Sequence, residues 1–92
     1  MFDDKTCVVR SSAVIARGLR DQTLLMDMES ERYLTLDAVA SQIWSMLDGT
    51  QSVAAITATI VDEYDAPAPT VRADVDALLA ELLELRLAHR AI

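Results

Sequence analysis

The chain of 92 residues is predicted to fold as one α+β domain, a small three-stranded antiparallel sheet followed by three helices that pack on one of its faces. Three observations predict it. Apolar residues alternate with period two through residues 23–36, the mark of half-buried strands. From Asp37 onward they recur at spacings of three and four, the mark of amphipathic helices. Capping residues and Gly or Pro punctuate the helical part at Asp37, Gly49, Ser52, Pro67, Pro69 and Thr70.

Residues 6–19 read as one or two strands, Thr6 to Val9 and Ala13 to Ala16, separated by Ser11-Ser12. Gly18 and Arg20-Asp21-Gln22 make a turn. The second strand is Thr23 to Glu29, with Leu24, Met26 and Met28 on one face and Leu25, Asp27 and Glu29 on the other. Ser30-Glu31 reverses the chain without the Asn-Gly or Asp-Gly of the tightest hairpins. Arg32 to Leu36 is the third strand, placing Leu34 and Leu36 on one face and Tyr33 and Thr35 on the other. One strand edge of such a hairpin stays unpaired beside the helical layer, a geometry suited to an extended peptide.

Asp37 is the expected cap of the first helix, because its carboxylate accepts from free amides of the first turn. Its stripe is Leu36, Ala40, Ile43, Trp44 and Leu47, which makes Trp44 a core residue, and Gly49 is expected to end it in the left-handed conformation. Ser52 opens a second helix that buries Val53, Ile56, Ile60 and Tyr64 and stops at Asp65-Ala66-Pro67-Ala68-Pro69. Thr70 opens a third, running to about Leu87, with a main stripe of Val71, Val75, Leu78, Leu82 and Leu85. A second row lies about 100° round that helix: Arg72, Asp76, Leu79, Leu83 and Arg86. A helix facing a single core turns polar there, so Leu79 and Leu83 are surplus. Residues 88–92 are a frayed end or a short strand, expected to matter little for binding.

Charge narrows the function. The net charge is −7. Residues 1–20 set Asp3 and Asp4 against Lys5, Arg10, Arg17 and Arg20, net +2, while residues 21–92 set 13 acids against Arg32, Arg72, Arg86 and Arg90, net −9. Phosphate neutralisation needs clustered cations, so the helical part opposes nucleic-acid binding. No apolar run approaches the roughly 18–20 residues that span a bilayer. The start, Met1-Phe2-Asp3-Asp4-Lys5, has no signal-peptide core after it. A cytoplasmic protein without membrane contact is expected.

Catalysis finds no constellation. Cys7 has no partner for a disulfide and reads as a small buried group beside Val8 and Val9. His89 is the single histidine, close to the end of the chain and without a second ligand at metal spacing. The acids are scattered along helix exteriors. No catalytic residue, metal or cofactor is expected.

The segments Leu24-Leu25-Met26-Asp27-Met28-Glu29 and Arg32-Tyr33-Leu34-Thr35-Leu36-Asp37, the helix with Ile43-Trp44-Ser45-Met46-Leu47-Asp48-Gly49, then Thr50-Gln51-Ser52-Val53-Ala54-Ala55-Ile56 and the Asp74-Val75 helix resemble the PqqD-like family. These are the precursor-peptide recognition elements of pathways to ribosomally made, post-translationally modified peptides. The resemblance spans about residues 13–87, and it makes residues 1–92 a single recognition domain. It implies a winged-helix-like unit of three strands and three helices. Members take the leader of a precursor peptide as an added strand, antiparallel to the third strand and against the third helix.

On this chain the resemblance puts the receiving edge at Arg32, Tyr33, Leu34, Thr35 and Leu36. The groove wall is then Arg72, Val75, Asp76, Leu79, Leu83 and Arg86, the surplus row with one neighbour. The partners implied are a precursor leader peptide and a leader peptidase of a lasso-peptide pathway, as for stand-alone leader-binding proteins. Delivery to a radical enzyme, in the manner of PqqD itself, is the near alternative; a DNA-binding winged helix and a dimer through Leu79 and Leu83 are the others. Arg32 either pairs with a leader carboxylate or guards the edge against indiscriminate pairing. Arg72 and Asp76 either touch the leader or form a solvated i to i+4 pair. The face taken by Tyr33 stays open. The reading requires that the chain's own N-terminal segment leave the third strand free.

Overall fold

Strand pairing divides the chain into two small sheets with three helices against them. The computed structural model describes residues 2–91. The elements run β1 (Cys7–Arg10), β2 (Val14–Leu19), β3 (Gln22–Asp27), β4 (Tyr33–Leu36), α1 (Ala38–Ser45), β5 (Asp48–Ser52), α2 (Val53–Tyr64), α3 (Ala68–Glu84) and β6 (Ala88–Arg90). The first sheet has the order β5-β1-β6, the second β2-β3-β4, and every pairing is antiparallel. The α+β class stands, and β2-β3-β4 is the three-stranded sheet expected ahead of the helices. The β5-β1-β6 sheet adds a layer that the sequence did not announce.

That layer resolves two open readings and corrects one expectation. Residues 6–19 form two strands that belong to different sheets. The tail is a strand: Val8, Val9 and Arg10 lie opposite Arg90, His89 and Ala88, and Ala91 donates to the Cys7 carbonyl at 2.8 Å. (Ile92 lies outside the described residues.) Removing residues 89–92 therefore strips a pairing from β1, which makes the tail structural. Lastly, Gly49 does not end α1 but sits inside β5 with φ +85°, where an added Cβ would lie 3.4 Å from Val9 Cβ. The end of α1 is made by Arg10, whose guanidinium donates to the Trp44 and Ser45 carbonyls at 3.0 and 2.9 Å. It adds to the Met46 and Leu47 amides, which reach the Ile43 and Trp44 carbonyls, and reaches the Ser45 carbonyl at the open end of the helix.

The other helix ends follow local chemistry. Asp37 Oδ1 accepts from the Ala40 amide at 2.8 Å and Ser52 Oγ from Ala55 at 3.1 Å, as expected of caps. α3 starts at Ala68, ahead of the expected Thr70, with Pro67 at its N-cap and Pro69 in its first turn. Proline fits there because first-turn amides have no helical partner to lose. α3 closes through two bonds, Arg86 N–H to the Leu83 carbonyl at 3.1 Å and Leu87 N–H to Leu82 at 2.9 Å. Arg86 takes φ +60° to make them, and Leu87 is buried with Leu82. A side chain is disfavoured in that conformation. Arg86→Gly is expected to stabilise the fold by about 0.5–1 kcal/mol, read as a raised midpoint in thermal denaturation.

One core joins all layers. Val8 from β1, Leu25 from β3, Leu36 from β4, Ile43 and Trp44 from α1, and Ile56 and Ile60 from α2 meet Val71, Val75, Leu79 and Leu82 of α3. Trp44 is in the core as expected, with Arg10 near its ring. Tyr64 is a correction: it is exposed, and its hydroxyl donates to Gln42 Oε1 at 2.9 Å, tying the end of α2 to α1. Cys7 is half-buried in β1.

Candidate functional site

The candidate site is the outer edge of β4. Its register against β3 pairs Thr23 with Leu36, Leu24 with Thr35, Leu25 with Leu34 and Met26 with Tyr33. Leu25, Leu34 and Leu36 face the core, and the opposite parity exposes Tyr33 (70%) and Thr35. This settles the face of Tyr33: it points away from the core. The Asp27 amide donates to the Arg32 carbonyl at 2.8 Å, so Asp27 and Arg32 form a hydrogen-bonded pair. Hydrogen-bonded and open pairs alternate along an antiparallel ladder. Leu34 and Leu36 therefore bond back to β3, while the backbone groups of Tyr33 and Thr35 point outward. Among the described residues no strand other than β3 pairs with β4.

Asp27 builds the turn that holds this edge. It lies on the core face of β3, is nearly buried, and accepts from the Ser30 hydroxyl at 2.8 Å and the Glu29 amide at 3.0 Å. Glu31 returns its amide to the Asp27 carbonyl at 2.9 Å with φ +62°. The Ser30 hydroxyl, then the Glu29 amide, hold the carboxyl below its ordinary pKa of 3.8. A lowered carboxyl stabilises the fold fully above its ordinary pKa and loses that contribution as pH falls through the lowered value. Asp27→Ala is expected to melt below the wild type at pH 7, and the gap should narrow as pH falls through the lowered pKa of Asp27. Thermal melts across that range check it. The sequence hid this role, because Asp27 shares its strand face with Glu29 and the wholly apolar set Leu24, Met26 and Met28 lies on the other.

The second wall of the site is split by the structure. Leu79 has no exposed surface and belongs to the core with Val75 and Leu82; it is not surplus. The cause is the number of neighbours, since α3 contacts α1, α2 and β6, and the buried arc is wider than one stripe. Leu83 is half-buried at the margin of that core, as are Leu78 and Leu85. At the other end of the row Arg72 Nε donates to Asp76 Oδ1 at 3.1 Å, the i to i+4 pair expected as one alternative. Arg72 also holds Asp4 and the Phe2 carbonyl, so the N-terminal segment is tied to α3 there. Arg86 is exposed at the helix end, and Arg32 is exposed just ahead of β4.

The candidate residues thus form a continuous edge at 32–36 and a helix row of which Leu83, Asp76, Arg72 and Arg86 reach the surface. β4 and α3 border one core, which joins Leu34 and Leu36 to Val75 and Leu79. The N-terminal segment does not seal β4, because β1 is taken up by β5 and β6. Among the described residues no three His, Cys, Asp or Glu side chains are placed to hold a metal ion, and no helix is long and apolar enough to cross a membrane.

An antiparallel sheet with a free edge, backed by helices that share its core, is the architecture of a strand-adding peptide receptor. The chain belongs to the PqqD family: the model of "Coenzyme PQQ synthesis protein D (PqqD)" matches residues 22–88, from β3 into β6. It is 40% identical over 68 residues to a PqqA binding protein of Xanthomonas campestris pv. campestris (strain B100), covering 74% of this chain and 72% of that protein. A PqqA binding protein of Xanthomonas oryzae pv. oryzae (strain PXO99A) is also 40% identical over 68 residues, with the same coverage. In three dimensions the chain is similar to TbiB1 in complex with the TbiA(beta) leader peptide, with TM-score 0.79 and 32% identity over 87% of this chain and 93% of that one. A lasso peptide synthetase B1 complexed with its leader peptide shares the fold at TM-score 0.78 and 22% identity, over 88% of this chain and 95% of the other.

Proposed function

We propose that this chain captures the leader of a ribosomally made precursor peptide by strand addition to β4 and presents it to a leader peptidase of a lasso-peptide pathway, without itself catalysing a step. The observation that carries the reading is the unpaired edge at Tyr33 and Thr35, free in a protein whose relatives include a leader-bound structure. The PqqA binding relatives support the alternative partner, a radical enzyme. Both versions place the chain in the cytoplasm and need no cofactor.

The energetics suit a reversible carrier. Each backbone hydrogen bond along the edge contributes about 0.5–1.5 kcal/mol net. One or two apolar leader side chains buried beside Leu34 and Leu83 add about 1.5–3 kcal/mol each. Ordering a disordered leader opposes them by about 2–5 kcal/mol. The apolar anchors set selectivity because backbone bonds do not read sequence. Val75 and Leu79 form the floor beneath, while Asp76, Arg72 and Arg86 supply polar contacts along the helix. Arg32 pairs with an acidic leader residue.

Titration of isotope-labelled protein with synthetic leaders of the lasso and PqqA classes tests this. The backbone amides of residues 32–36 are expected to shift most, and the leader class that binds identifies the pathway. Amides that stay still in this segment under saturating peptide would remove strand addition from consideration.

A further inference from the structure

The outer face of the β2-β3-β4 sheet is apolar where it should be polar. A solvent-facing antiparallel sheet alternates apolar inside with polar outside, and here both faces are apolar. The register aligns Ile15, Met26 and Tyr33 in one row and Arg17, Leu24 and Thr35 in the next, all on the face away from the core. Ile15 is 52% exposed and Met28, beyond the end of β3, 59%. Ile15, Leu24, Met26 and Met28 with Arg17 line a shallow hollow of about 300 Å³. Leader capture leaves this face unused, because it engages the edge and the helix side.

We infer that this face is where the leader-processing enzyme docks, on a composite surface made by the protein and its bound leader together. The inference rests on the strand-addition reading. A strand added beside Tyr33 and Thr35 continues both rows by one position, since alternate side chains of the newcomer stand on the same face. Every second leader residue then lies in line with Ile15-Met26-Tyr33 or Arg17-Leu24-Thr35. An enzyme seated there touches carrier and leader at once, and its affinity depends on the leader being present. Methionines suit a surface that accepts a partner by repacking.

Charge selects a different protein over a second copy. Arg17 is the one charged side chain lining the hollow. Two copies packed face to face about a twofold axis bury both Arg17 side chains in one interface, with no acid among the residues lining the hollow to pair them. The complementary partner carries an apolar patch with a carboxylate opposite Arg17.

The test uses the full chain, a synthetic leader of the lasso class and a purified leader peptidase that processes that leader. Met26→Glu is expected to bind labelled leader within about two-fold of wild type, while capture of the enzyme by the protein–leader complex falls about ten-fold or more, as for loss of a buried apolar anchor. Arg17→Glu weakens capture less, and more steeply at low salt. Ile15→Glu repeats the first result at a second position. A photo-crosslinker in place of Met28 is expected to capture the enzyme in the presence of leader, and one in place of Thr59 on α2 is not. Wild-type capture by both Met26→Glu and Ile15→Glu overturns the inference. So does a wild-type dimer that Met26→Glu dissociates, which makes a second copy the occupant. A wild-type chain that fails to bind leader overturns strand addition, and the composite docking surface with it.

Discussion

Thr35→Pro is expected to weaken leader binding by about 2 kcal/mol, roughly thirty-fold, with the fold intact. The register makes the substitution selective. Asp27 and Arg32 are hydrogen-bonded to each other, and two steps on are Leu25 with Leu34, then Thr23 with Leu36. Thr35 falls on an open pair with Leu24, so its amide is not used by β3 and its side chain is exposed. Proline removes that outward donor and puts a ring where the incoming strand must lie, at a position an edge strand tolerates. Leu34→Pro is the control with the opposite outcome: it removes a donor to β3 and opens the hairpin. Isothermal titration with the synthetic leader and far-UV circular dichroism read the two effects separately. Thr35→Pro with wild-type affinity would place the leader elsewhere.

The parts legible in the sequence were those specified locally. Alternation in residues 23–36 located β3 and β4 and separated Leu34 and Leu36 from Tyr33 and Thr35, because period two sends neighbours to opposite faces, but it did not say which face is the core side. The caps at Asp37 and Ser52 were legible for the same reason, each being a contact within three residues. What escaped was long-range. β5, Asp48-Gly49-Thr50-Gln51-Ser52, has no apolar alternation and exists as a strand because β1 pairs with it. Arg10 ends α1 from more than thirty residues away, so Gly49 took a role in the reading that the fold gives to a guanidinium. The candidate edge could be located from sequence, but the outward aim of Tyr33 and Thr35 needed the pairing.

Leu79 and Leu83, joined in one surplus row by periodicity, are expected to separate sharply on substitution. Leu79 is completely buried, and Leu79→Ala leaves a cavity costing about 2–5 kcal/mol. That is a large share of the roughly 5–15 kcal/mol that holds a domain of this size, and each kcal/mol lowers its melting temperature by about 4–8 °C. Loss of leader binding by this variant follows from loss of fold. Leu83 is half-buried at the margin of the core, so Leu83→Asp keeps its carboxylate hydrated in the free protein and disturbs little. On leader binding the same carboxylate is covered, and an apolar anchor worth about 1.5–3 kcal/mol is lost together with its desolvation. Binding should fall about a hundred-fold or disappear, with a melting temperature near wild type. Thermal denaturation and leader titration of both variants check this. A Leu83→Asp protein that binds leader normally would shift the groove off this flank of α3, onto the half-buried Leu78 and Leu85 on its other side.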